Sequence, residues 1–440
     1  MADTNDMKID AYPSKEFFID MLTKDISLKE CILDLLDNSI HSFVRHEDLD
    51  VASSLFQGKI PKMKAKASIS IECRPNKFSI IDTCGGISIK EARHQVFLFG
   101  KPQPDPTHAG LGVYGIGMKR AMFKIGDVID VKSNTTEDDF RMTVNVKNWR
   151  KDPAKWEFEF TETNKRKHKA GGTTLEITAL HSPVSKYFSA QSFQNELRDR
   201  IATTYALFIK GGVEIELNGK LIEADLPTLG ETKGLKSVRH ETEYDGVDIL
   251  ITAGITPRED RTPRGWYVFC NGRLVLDADK TKDTGWGMYH VPTFQPKYNH
   301  FLGMVHLRCK DVRKLPWTTT KEEVEQESPV YQHALVEMRS VTRGVLDFLN
   351  SLYPDTTVEA EAEREMFDRA KPTEIQKVAG RSNTMFKAEV KAKKDSDLVS
   401  IQYRRPRKKL DQIRKILGRE QMSNVAVGEY TFDIFLKRNS

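Results

Sequence analysis

Between residues 110 and 119 the chain reads Gly110-Leu-Gly112-Val-Tyr114-Gly115-Ile116-Gly117-Met-Lys119, and this stretch restricts the fold more than any other. Closely spaced glycines let a backbone take positive φ and turn successive N–H groups toward one point. A helical apolar pattern follows at Met118–Ile125. The glycines therefore open a helix, whose N-terminus adds partial positive charge. The arrangement suits an anion, with Lys119 as an extra point charge. The blander alternative is a structural glycine turn. Two well-known phosphate cradles fail on context. Gly110, Gly112 and Gly115 have dinucleotide-loop spacing, but that fingerprint needs a strand just before it. Here Lys101–Ala109 carries Pro102, Pro104 and Pro106. The GxxxxGK loop fails because Met118 separates Gly117 from Lys119.

Three further segments carry chemistry. Residues 15–45 read as helical, with Leu28, Ile32, Leu35, Leu36 and Ile40 on one apolar face. On this stretch Asp34 and Asn38 stand at i and i+4, one above the other. A carboxylate there can orient or deprotonate a water. An Asn oxygen suits Mg²⁺, which otherwise keeps phosphate and water ligands. Read alone, the pair is also what a plain polar face would show. Strands are expected at Ala67–Glu72 and Lys77–Asp82, the second running into Asp82-Thr-Cys84-Gly85-Gly86. A carboxylate at a strand end can accept from an exocyclic amine, and a following glycine admits a close base. Finally, Gly171-Gly172-Thr173-Thr174 leads a strand whose first hydroxyl can support that carboxylate.

These four motifs, in this order, resemble the GHKL ATPase superfamily (gyrase, Hsp90, histidine kinase, MutL), and look most similar to its Hsp90, MutL and MORC branch. The resemblance covers about residues 15–180 through motifs and extends more weakly to about 350. It implies an α+β chain with a Bergerat-type two-layer α/β sandwich at residues 1–185. A ribosomal S5-like α/β domain would follow at 186–355, and a charged linker with a basic C-terminal module at 356–440. It implies ATP as ligand and Mg²⁺ as cofactor, the metal on Asn38. Asp82 would read adenine with Gly86 and Thr173. Gly112, Tyr114, Gly115, Ile116, Gly117 and Lys119 would form the lid over the phosphates. Asp34 takes the position of the catalytic carboxylate, and Leu315-Pro-Trp-Thr-Thr-Thr-Lys321 looks like the phosphate-sensing loop, with Lys321 on the γ-phosphate. Two departures stand out. The family has Glu where this chain has the shorter Asp34, so Glu30, one turn earlier, is a further catalytic candidate. Cys84 replaces the first glycine of the adenine motif.

The resemblance implies a slow ATPase whose nucleotide-ordered lid gates homodimerisation and the engagement of DNA or a partner effector protein. A nucleotide sensor with little hydrolysis and a chaperone-like ATPase acting on proteins are the alternatives. A histidine kinase is disfavoured, because no phosphoacceptor helix is evident.

Composition narrows the setting. The 440 residues carry a net charge of +5, with 39% hydrophobic and 30% charged residues. No apolar run reaches the roughly 18 residues of a membrane span. The opening Met1–Asp6 lacks the basic-then-apolar pattern of a secretory leader. The five cysteines, Cys31, Cys73, Cys84, Cys270 and Cys309, are scattered and never form a CxxC pair, so reduced thiols and a cytoplasmic setting are expected. The small net charge hides an asymmetry. Residues 371–440 hold 17 Lys and Arg against 8 Asp and Glu, a net of +9, leaving −4 for the rest. Tyr403-Arg-Arg-Pro-Arg-Lys-Lys409 and the helix-like Leu410–Leu417 can meet phosphates, or serve as a solvated basic face or a protein-docking surface.

Overall fold

The stretch expected to be helical over 15–45 folds as two helices, α1 (Lys15–Lys24) and α2 (Leu28–His46). Ser27 makes the break. Its hydroxyl accepts from the Glu30 N–H at 3.2 Å, while the Glu30 carboxylate accepts from the Ser27 N–H at 2.7 Å. This reciprocal cap starts a new helix. The apolar face of α2 is buried throughout. The computed structural model describes residues 14–60, 62–63, 66–99, 111, 115–153, 155–352, 358–378, 386–388 and 404–439.

After α3 (Val51–Phe56), strands β1 (Ala67–Arg74) and β2 (Lys77–Asp82) form the expected hairpin, with Ile71 opposite Ile80. One helical turn, α4 (Ile89–Glu91), and helix α5 (Gly117–Ile125) come next. Strands β3 (Gly126–Asn134) and β4 (Asp139–Asn145), helix α6 (Val146–Arg150), and strands β5 (Phe160–Asn164) and β6 (Gly172–Leu180) complete this part. A strand is expected over 156–161, but β5 begins only at Phe160. Trp156 instead packs edge-on against Phe99 and Trp149, and Phe158 joins the same cluster.

The sequence over 193–209 predicts one helix, and the chain breaks it at Tyr205. Helix α7 (Ser182–Ser189) precedes α8 (Gln191–Thr204), which ends at Tyr205, and α9 (Ala206–Gly211) follows. The Tyr205 hydroxyl reaches across to α2, where it meets the Leu33 carbonyl at 2.8 Å and Asp37 Oδ1 at 2.7 Å. Strands β7 (Val213–Leu217) and β8 (Lys220–Leu221) join the first sheet, because β7 lies parallel to β1. The sheet order is β5-β4-β3-β6-β2-β1-β7-β8, so its strands come from both sides of residue 185. Helices α2 and α5 pack side by side against it, as the two-layer expectation requires.

A second sheet is built from β9 (Leu229–Glu231), β11 (Val238–Tyr244), β12 (Val247–Ile255), β13 (Gly265–Cys270), β14 (Arg273–Asp279) and β15 (Phe301–Arg308), while β10 (Leu235–Lys236) belongs to a separate short ribbon. Asn271 and Gly272, with φ of 47° and 86°, make the tight turn between β13 and β14. The 23-residue helix α10 (Pro329–Ser351) lies against β12 and β15. Helix α11 (Val358–Asp368) follows. Within the segment read as a charged linker, β16 (Lys371–Thr373) pairs with β9 and β17 (Lys387–Ala388) with β10. The chain is thus α+β, a helix-and-sheet domain followed by a further sheet region.

The described residues through 388 form one compact unit, and those from 404 a second. The second is a helical hairpin of α12 (Arg407–Leu417) and α13 (Asn424–Asn439), turned at Gly418. Arg414 locks it, donating to the Met422 carbonyl at 2.9 Å and to Asn424 Oδ1 at 2.6 Å. Among the described residues, no helix is long and apolar enough to cross a membrane.

Candidate active site

A cavity opens beside the exposed end of the α2 face. Asp34, Asn38, His41, Ser42 and Arg45 line it, at the spacing of one helical stripe. Opposite stand Gly115, Ile116, Gly117, Met118, Lys119 and Arg120 at the start of α5, with Gly86 and Ile87 on a third side. Thr319 and Lys321 close it, although they lie some two hundred positions further along the chain. The N-terminal residues of α5 have no side-chain cap, since Ile116 makes no capping bond. Gly112 and Tyr114 lie outside the described residues.

Gly117 has a positional reason to be glycine. A Cβ there would stand 3.0 Å from the Asp34 carboxyl carbon, so a side chain at this position would press the Asp34 carboxylate out of its place. At Gly86 φ is +74°, and a Cβ would meet the Asn134 carbonyl oxygen at 1.9 Å. The close approach visible at Gly86 is thus to the protein's own β3 backbone.

Asp82 ends β2 and pairs in register with Thr173 of β6. Its carboxylate accepts from the Ser39 hydroxyl at 2.7 Å and from the Cys84 N–H at 2.9 Å. Burial lifts its carboxyl above the usual range, against the opposing pull of these hydrogen bonds. Thr173 Oγ1 lies 2.9 Å from Ser133 Oγ, which also accepts from the Ile87 N–H at 2.8 Å. The two strand motifs are thereby joined through Ser133 to the cavity wall. Cys84 is buried, and burial pushes its thiol well up, so it stays an uncharged packing residue.

Charged groups meet in the cavity wall, at Asp34, Arg120 and Lys321, and behind it at Asp37. Arg120 places Nε and Nη2 each 2.7 Å from Asp34 Oδ2, and Nη2 also donates to the Thr319 carbonyl at 3.0 Å. One turn along α2, Asp37 holds Lys321 Nζ at 2.6 Å and Arg273 Nε at 2.8 Å, with the Tyr205 hydroxyl on the same carboxylate. Burial opposes ionisation of Asp37, but Arg273 and Lys321 outweigh it and hold its carboxyl below the usual range. Burial dominates at Asp34 and lifts its carboxyl, against the pull of Lys321 and Arg120. A raised carboxyl is what a base needs to work near neutrality.

Of the other expected residues, Lys119 is buried in the wall, its ammonium donating to the Val96 carbonyl at 2.8 Å. Glu30 does not line the cavity; its carboxylate closes the α2 cap. Asn38 is exposed toward the cavity, and no described residue bonds to its side chain. Ser42 Oγ, one turn on, is buried with no partner among the described residues. Among the described residues no group of three His, Cys, Asp or Glu side chains is placed to hold a metal ion. The exposed Asn38 side-chain oxygen is a donor of the type that fits Mg²⁺ when phosphate and water supply its other ligands.

The comparisons with known proteins point the same way. Residues 26–173 match the family model described as histidine kinase-, DNA gyrase B-, and HSP90-like ATPase. This segment is a GHKL-family ATPase domain. The match contains α2, the start of α5, Asp82 and Thr173, while Lys321 and the second sheet lie outside it. Among curated proteins, none matches the chain. Within the GHKL domain, His41, Ser42 and Arg45 are cavity residues that the reading of the motifs missed. The helical period counted forward from Asn38 would have found them. Nothing in the local pattern flags Arg120 or Thr319, because each is defined by a partner far away in sequence.

Proposed function

We propose that this protein binds ATP with Mg²⁺ between α2 and α5 and hydrolyses it slowly. The reading rests above all on one observation: two residues of a remote loop, Thr319 and Lys321, share a cavity with Asp34, Asn38 and the open N-terminus of a glycine-led helix. Asp82 would accept from the adenine amine. The N–H groups from Gly115 onward would take phosphate oxygens. Bound at Asn38, Mg²⁺ would neutralise phosphate charge. Asp34 would orient the attacking water and take its proton. Lys321 would leave Asp37 for the γ-phosphate and stabilise charge as it develops. Arg45, Lys119, Arg120 and Lys321 line the cavity with Asp34 and Glu91, so its wall carries a net positive charge suited to a polyphosphate.

In the same reading, the sheet region over 186–355 is an S5-like transducer, and lid ordering drives homodimerisation in the cytoplasm. The client is DNA or a partner effector protein, held by the C-terminal hairpin. Arg404, Arg405, Arg407, Lys408 and Lys409 are all exposed there. Removing residues 391–440 is expected to leave ATP binding intact and abolish retention on duplex DNA, whose log–log salt slope reports roughly 0.9 per phosphate contacted. Retention by the truncated chain with the parent's salt slope would refute a role for the tail in DNA binding. Sizing in solution with a non-hydrolysable ATP analogue tests the clamp, and an unchanged mass at saturation would sink it.

One observation favours the second reading, a nucleotide sensor with little turnover: Asp34 is short and already ion-paired to Arg120. Steady-state phosphate release separates the two. Lys321→Ala should lower turnover by about 10²–10³-fold, the loss typical of a transition-state donor, while ATP still binds. Unchanged turnover would remove Lys321 from the mechanism.

A further inference from the structure

Asp34 is one methylene shorter than the glutamate its position calls for, which should leave its carboxylate out of reach of a water on the γ-phosphate. The contacts around its carboxylate bear on that gap. Both guanidinium contacts of Arg120 fall on one oxygen, Oδ2, at 2.7 Å each. No described residue donates to Oδ1. The Cβ-free edge of Gly117 lies within van der Waals contact of the carboxyl group. Arg120 is itself held, because Nη2 donates to the Thr319 carbonyl on the loop that carries Lys321. Residue 120 is only the fourth of α5, so a grip there fixes the first turn of the helix, where the phosphate-facing N–H groups stand.

Building on the hydrolytic reading above, we propose that Arg120 is the positioning residue for Asp34. It clamps Oδ2, leaves Oδ1 for the water, and draws the phosphate-binding end of α5 toward the shortened acid. The ion pair is then part of a working site and does not block it. Arg120 also ties the placement of the base to the Thr319–Lys321 loop, so the acid and the γ-phosphate lysine are set by one connected unit.

The experiment uses the full chain with Mg²⁺ and ATP, measuring phosphate release alongside binding of a fluorescent ATP analogue. Arg120→Ala should lower kcat about 10²-fold, the usual cost of a base displaced by about 1 Å, with KM and analogue affinity within about threefold. Added guanidinium ion should restore part of kcat in Arg120→Ala and none in Asp34→Asn. Arg120→Lys should fall between parent and Arg120→Ala, which guards against a variant that merely folds badly. Full turnover in Arg120→Ala beside a dead Asp34→Asn would overturn the proposal and leave the base assignment standing. Loss of kcat that guanidinium does not relieve, with Arg120→Lys as inactive as Arg120→Ala, would assign Arg120 a purely structural role. Parent turnover retained in Asp34→Asn, or a parent that binds ATP and releases no phosphate, would overturn the hydrolytic reading and this proposal with it.

Discussion

Replacing Asp37 with alanine should destabilise the protein by about 3–5 kcal/mol, the range for breaking a buried ion pair from one side. Asp37 is fully buried and receives Arg273, Lys321 and the Tyr205 hydroxyl. Arg273 comes from the second sheet, Lys321 from the loop after it, and Tyr205 from the break between α8 and α9. Truncation leaves two cations and a hydroxyl buried around a void, and none can reach water without moving an element. Chemical denaturation at neutral pH should show the loss as a lower midpoint with an unchanged slope.

The same residue sets a pH signature. Its carboxyl is held below the usual range, so the folded state releases this proton more readily than the unfolded chain. The stabilisation is therefore complete above the unfolded value of about 3.9 and is lost as pH falls through the lowered folded value. Against Asp37→Asn, which keeps the shape and drops the charge, the parent's advantage should be largest at neutral pH and shrink below about pH 4. A deficit under about 1 kcal/mol at pH 7, the scale of exposed pairs, would show that Asp37 is not the fastener between α2 and the second sheet.

How much of this was legible beforehand depended on whether a residue's role is local. Asp34 and Asn38 share a helix face at i and i+4, and periodicity alone reads that. The strands β1 and β2 and the helix opened by Gly117 are equally local, and each forms within a few residues of its expected place. Asp82 and Thr173 needed one more step, since only the antiparallel register of β2 on β6 makes them neighbours. Lys321 was reached through resemblance, not pattern. The charge pairs were out of reach. Arg120 lies 86 residues from Asp34 and Arg273 lies 236 from Asp37, and periodicity says nothing about which distant cation a buried acid will meet. Glu30 shows the opposite failure. Ser27-x-x-Glu30 is a legible capping box, and closeness to Asp34 along the helix is no guide to a chemical task for Glu30, whose carboxylate is occupied by the Ser27 N–H.

The second large effect is expected at Asp82. Asp82→Asn should weaken ATP binding by about 10–10²-fold, the value of a hydrogen bond to a charged acceptor at 1.5–3 kcal/mol. The carboxylate is held by the Ser39 hydroxyl and the Cys84 N–H. With the Thr173 N–H as a third donor, the ionised carboxylate, with about four acceptor sites, still has capacity for an incoming amine. Asparagine keeps the shape and one acceptor oxygen but turns the other position into a donor. It should therefore repel the adenine amine and tolerate a carbonyl there, narrowing the preference for ATP over GTP. Titration with fluorescent ATP and GTP analogues measures both changes. Acidification supplies an independent check. Burial lifts the Asp82 carboxyl, and the proposed contact needs the ionised form. ATP affinity in the parent should then fall as pH drops through that raised value, and the corresponding limb should vanish in Asp82→Asn. If affinity, nucleotide preference and pH dependence all match the parent, Asp82 serves only Ser39 and Cys84 within the fold, and adenine is read elsewhere.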